Sequence, residues 1–180
     1  MNNEFHFDLG NNDISVYSFD GSKEIRTLKL SGAINFVANK SNFTICWGEE
    51  KIELSYSDDL SLMIDDVIQM IFMLHTHKKG TWSVEWMPCT FAVNWNLTWE
   101  DDLLQIKADY RDEFCASDYL KNNNILTIQK TTFLGEWNTL FKALEDAFSL
   151  SKFSTILIID GNNFRKAKRY LKKYYQCCHN

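Results

Sequence analysis

Proline is nearly absent, with one residue in 180, and glycine is held to seven. A chain this poor in both is neither collagen-like nor low-complexity. Its start, Met1-Asn2-Asn3-Glu4, has neither the basic nor the apolar region of a secretory signal. No uninterrupted apolar run comes near the ~18 residues a bilayer span requires. The five cysteines, at 46, 89, 115, 177 and 178, are odd in number and show no framework spacing. They argue against a disulfide scaffold and suit a reduced, cytoplasmic compartment. A G-x-G-x-x-G or Walker loop to cradle phosphates is missing, as is a G-x-S-x-G nucleophile elbow. No cofactor is expected, and no catalytic residue is assigned.

Large apolar side chains are abundant. Six Trp, thirteen Phe and seven Tyr lie within a 45% apolar composition, and a chain of this length buries roughly 70% of the surface its unfolded form exposes. One domain over 1–180 is the expectation. The charge is uneven: the net value is −5, but residues after 160 carry six bases and no acids. That leaves the first 160 with 13 bases against 24 acids, a net −11.

Periodicity divides the chain into a β-rich 1–56, a helix over 59–77, an antiparallel sheet over 82–130, and helices over 132–150 and 162–176. Short alternating segments are read as strands at Phe5–Leu9, Ile14–Phe19, Glu24–Leu30, Ala33–Ala38, Phe43–Trp47 and Lys51–Tyr56, with Asp20-Gly21 as a hairpin turn. Leu60, Ile64, Val67, Ile68, Ile71 and Leu74 then repeat at 3.6 residues behind a Ser57-Asp58 cap. Phe91, Val93, Trp95, Leu97 and Trp99 alternate with Ala92, Asn94, Asn96 and Thr98, a sheet with one aromatic and one polar face. The 59–77 helix is the natural cover for the aromatic face. Arg111–Asn124 is read as loop, Ile125–Lys130 and Thr155–Ile159 as strands. The sum is an α+β fold, mostly antiparallel, with about three helices packed on one side.

Few residues group as chemistry requires. His75-Thr76-His77 and Cys177-Cys178-His179 lack the spacing of zinc ligands, and no metal site is assigned. Neighbouring carboxylates such as Asp58-Asp59 suit helix starts and turns better than acid–base work, which needs two carboxyls in unlike environments. As a field the acids carry more weight. Glu100, Asp101, Asp102, Asp109, Asp112, Glu113 and Asp118 stand against Lys107 and Arg111 within 98–118, and Asp65 and Asp66 add to them. Such a region steers cationic proteins inward and repels nucleic acid. The 164–175 segment carries the opposite sign, with Tyr170, Tyr174 and Tyr175 among its bases.

A chain of 180 residues with a helix over Asp59–His77, an aromatic sheet over Trp82–Tyr110, the acidic turn Glu100-Asp101-Asp102 and a helix over Phe133–Phe148 resembles bacterial toxin-immunity proteins. The likeness is to those of contact-dependent growth-inhibition systems. It is one of style and carries over no functional residue. It implies a cytoplasmic, non-catalytic binder of one cognate toxin, often a basic nuclease, with no membrane partner. Three alternatives stay open: a nucleic-acid-associated accessory role through the basic C-terminal helix, a small enzyme, and a homo-oligomeric structural role in which surplus aromatics mark an interface.

Overall fold

The computed structural model describes residues 4–10, 14, 28–38, 41–112, 114–151 and 158–174. Two antiparallel sheets carry the strands. The first runs β1 (Phe5–Asp8), β2 (Asn42–Trp47) and β3 (Glu50–Ser55) in that order; the second is a meander of β4 (Lys79–Trp86), β5 (Val93–Glu100), β6 (Leu103–Tyr110) and β7 (Ile125–Gln129). Five helices accompany them among the described residues: α1 (Leu30–Val37), α2 (Ser61–Thr76), α3 (Asp118–Asn122), α4 (Lys130–Leu150) and α5 (Gly161–Leu171). The α+β, antiparallel reading holds, with more helices than the three expected.

Two of the helices correct the sequence reading. Ala33–Val37 is part of α1, with Ala38 at its C-cap, because Leu30, Ala33, Ile34 and Val37 are buried together, and their i, i+3, i+4, i+7 spacing is a helical stripe. Within the segment read as loop, Ser117 caps α3 by accepting from Leu120 N–H at 3.2 Å. The cap of the long helix also moves. Ser55 Oγ accepts from the N–H groups of Ser57 and Asp58, each at 3.1 Å, and a wide π turn over Tyr56–Leu60 leads into α2. All of the expected strand at Ile14–Phe19 except Ile14, the Asp20-Gly21 turn and most of Glu24–Leu30 and Thr155–Ile159 lie outside the described residues. Ile158 does form a parallel bridge to Leu28.

The aromatic face of the four-stranded sheet is covered on one side by several elements. A four-stranded face is about 14 Å wide and a helix about 10 Å, so α2 alone is too narrow. α2 lies along β4, while Phe133 of α4 and Phe5 and Trp47 of the other sheet close over Trp95. Trp137 of α4 stacks on Trp86 at 6.3 Å between ring centroids. Gly80 pairs with Trp99 in the ladder. A Cβ at Gly80 would stand 2.6 Å from that indole, so glycine is what lets Trp99 lie across β4 and reach the His77 carbonyl at 2.8 Å. Among the described residues, no helix is long and apolar enough to cross a membrane.

α5 closes the opposite flank. Phe164 stacks on Phe141 of α4 at 5.1 Å, and the His75 imidazole stacks on Tyr170 at 4.0 Å while bonding the Tyr174 hydroxyl at 2.8 Å. Burial first, then the charges of Lys173 and Lys130, holds the His75 pKa below its ordinary 6.5. The unfolded chain therefore binds more protons as pH falls through 6.5, and stability falls with it. Amide-exchange protection of residues 164–171 is expected to drop between pH 7.5 and 5. His75→Gln, which does not titrate in that interval, should remove most of that drop; an unchanged pH profile in the variant would assign the sensitivity elsewhere.

Candidate functional site

The far face of the four-stranded sheet is open. The pleat sends Thr81, Thr98, Gln105 and Thr127 outward as one row across all four strands, and Ser83, Asn96, Lys107 and Ile125 as the next. Glu85, Asn94 and Asp109 continue toward one end; Lys79, Glu100, Leu103 and Gln129 finish the other. The face is knitted by its own side chains. Ser83 donates to Asn96 Oδ1 at 2.8 Å, Asn96 donates to Asp109 at 2.9 Å, and Lys107 pairs with the same carboxylate at 2.9 Å. At the opposite end Lys79 pairs with Glu100 at 2.9 Å.

Past the end of β6 the chain turns to form a cleft of about 540 Å³, lined by Asp109, Tyr110, Arg111, Asp112, Phe114, Lys121 and Asn124 among others. Arg111 reaches back to β4, donating to Glu85 at 3.0 Å and to the Trp86 carbonyl at 2.6 Å. Three polar atoms here are shut off from solvent without a hydrogen-bond partner among the described residues: Tyr110 Oη, Arg111 Nε and Asn94 Oδ1. Unpaired groups of this kind are rare in a finished interior. Burial first, and the Glu50 carboxylate second, push the Tyr110 pKa up, so its hydroxyl stays a neutral donor.

The structure does not gather the predicted acids into one patch. Glu100, Asp101 and Asp102 sit at the β5–β6 turn; Asp109, Asp112 and Asp118 sit at the other end of β6, about 24 Å away at the rise of a strand. Glu113 lies outside the described residues. Asp65 and Asp66 are exposed on α2 and belong to neither end. Burial, then Asp160 and Asp66, raise the Asp65 pKa against the pull of Lys29, which places the pair beside the starts of α1 and α5.

Several of these acids have structural work. Asp102 caps α4, accepting from the Thr131 N–H and hydroxyl, each at 2.9 Å. Asp101 takes a backbone φ of +49° in the turn, a region that tolerates aspartate better than most residues. Asp112 and Asp118 are exposed and stand nearest the cleft mouth and the first turn of α3. The sequence marks Asn94, Asn96 and Thr98 as a polar face, but not its extension through Thr81, Ser83, Gln105 and Thr127, nor the unpaired atoms of Tyr110 and Arg111. The period-2 alternation identifies the row; nothing in a linear reading signals the unpaired atoms.

The two histidines do not converge. His77 Nδ1 lies 2.9 Å from its neighbour Thr76 Oγ1, while His75 faces α5. Cys177-Cys178-His179 lies outside the described residues. Among the described residues, no three His, Cys, Asp or Glu side chains are grouped to hold a metal ion. Compared with protein-family models, curated proteins and solved structures, the chain matches none of them.

Proposed function

We propose that the protein is a non-catalytic binder of the toxin-immunity kind, capturing a cationic protein through the open face of the four-stranded sheet and the cleft at its 109–118 end. One observation carries this reading: a polar sheet face, rich in hydrogen-bonding side chains and left uncovered among the described residues, is bracketed by carboxylates at both ends. Carboxylates set apart around a neutral platform suit recognition of charge across an area. Proton transfer needs two of them converging on one atom. The platform measures about 24 by 14 Å, well below the ~800 Å² each partner contributes to a standard interface. A partner must therefore also engage the 111–118 segment, where Asp112 and Asp118 stand exposed.

The test uses the toxin encoded beside this chain in its host, purified as an inactive domain. Asp101→Asn, Asp112→Lys and Asp118→Lys combined should slow association about tenfold at low salt and flatten its salt dependence. Asp65→Lys with Asp66→Lys at the remote acid pair, which shifts the net charge by about +4 where the triple variant shifts it by about +5, should leave the rate near wild type. Equal slowing in both variants would reduce the effect to net charge alone and remove the platform from the account. Asp102 is left intact because its carboxylate caps α4.

A further inference from the structure

A second surface carries the opposite charge. A groove of about 610 Å³ runs along α5, lined by Arg165, Lys166, Lys168, Arg169 and Lys172, with Glu145 as its one acid and Asn162 and Asn163 at its head. The volume lies within the range of small-ligand sites. Arg165, Arg169 and Lys172 recur at i, i+4 and i+7, about a turn apart, and all three are exposed. Asn162 Oδ1 accepts from Arg165 at 2.5 Å, which holds that guanidinium at the head of the groove. Lys168 forms the floor, 9% exposed and paired with Glu145. Burial, then Lys172, pushes its pKa down.

Tyr170 of α5 and Tyr174 just beyond it face α2, with Lys166 Nζ 5.8 Å from the Tyr170 ring centroid. Tyr170 stacks on His75 and meets Phe72 edge-on, and Tyr174 bonds His75. Tyr170 and Tyr174 are thus engaged with α2 and Tyr175 lies outside the described residues, so among the described residues α5 offers no open ring for single-strand recognition of the stacking kind. The eleven residues of α5 span about 16 Å. A long polyanion would run past them onto the acidic remainder of the chain, which repels it. The occupant must therefore be anionic, multiply charged and short.

We propose that the α5 groove binds a compact polyphosphate group, either the tail of a nucleoside polyphosphate or a free oligophosphate. Both present the same clustered phosphate oxygens to Arg165, Arg169 and Lys172. Calorimetric titration of the full chain at about 50 mM salt, with sodium tripolyphosphate, a nucleoside triphosphate and a 20-nucleotide single strand, separates the possibilities. Tripolyphosphate is expected to bind once per chain and saturate, and Arg169→Ala with Lys172→Ala should weaken it at least tenfold. Lys79→Ala with Lys107→Ala, two bases on the sheet face, should leave it unchanged. Equal affinity for the nucleotide assigns recognition to the phosphates alone; tighter nucleotide binding assigns the nucleoside as part of the ligand. The proposal is overturned if neither phosphate saturates, if only the oligonucleotide binds, or if the α5 variant binds as tightly as wild type. Circular dichroism of the α5 variant, whose two changes are at exposed positions, confirms that any loss is of binding and not of fold.

Discussion

Trp95→Ala is expected to remove about 3–5 kcal/mol of folding stability, read as a lower midpoint in urea unfolding followed by far-ultraviolet circular dichroism. Its ring has Trp86 at 4.9 Å, Trp47 and Phe91 at 5.9 Å, Phe5 at 6.1 Å and Phe133 at 6.5 Å between centroids. These neighbours come from β4, β2, the turn before β5, β1 and α4, so one truncation opens a hole where both sheets and a helix meet. Domains of this size are stable by only about 5–15 kcal/mol, and the loss would take a large share of that. The variant also tells transfer from polarity. The Trp95 indole N–H has no hydrogen-bond partner among the described residues, so Trp95→Phe removes an unpaired donor along with part of the ring. A cost for phenylalanine near that of alanine would mean that the N–H is bonded in solution and that the cavity argument is incomplete.

Asp59→Ala is expected to cost about 2–3 kcal/mol, because hydrogen bonds to a charged acceptor are worth more than neutral ones and their loss strands both donors. Asp59 is 2% exposed. One carboxylate oxygen accepts from the Ser55 N–H at 2.6 Å and the other from the Thr90 hydroxyl. The first bond completes the entry to α2; the second fastens it to the turn between β4 and β5. Negative charge at a helix start is favourable in its own right. Thr90→Ala should cost less, and the double variant should fall short of the sum of the two, since the residues share a bond. Additive losses in chemical denaturation would show that Asp59 acts through α2 alone.

The fold is legible in the sequence where one period dominates. β5 and β6 alternate cleanly from Val93 to Tyr110, and both α2 and α4 carry long apolar stripes, so their positions follow from side-chain direction alone. α1 escapes a linear reading because the segment satisfies both periods: Ile34, Phe36 and Ala38 alternate like a strand, while Leu30, Ala33, Ile34 and Val37 fit a helix. Burial decided between them, and burial depends on contacts from distant residues. The acids illustrate a second limit. Glu100 and Asp109 are nine positions apart in sequence and share a strand pair, yet extended chain sends them to opposite ends of the sheet. The basic α5 was visible as charge, but the inward turn of Tyr170 and Tyr174 depends on His75, which lies about a hundred residues earlier.

The hydrogen bonds that join early chain to late chain bear on how the protein is made. Phe7 N–H donates to Glu136 at 3.0 Å, and Leu30 N–H donates to Asp160 at 2.8 Å. At translation speeds of 5–20 residues per second, β1 waits roughly 10 s after leaving the ribosome before α4 exists to receive it. Phe5, Phe7 and Trp47 stay wet and adhesive through that interval, so nascent chains should depend on holding factors far more than the finished molecule does.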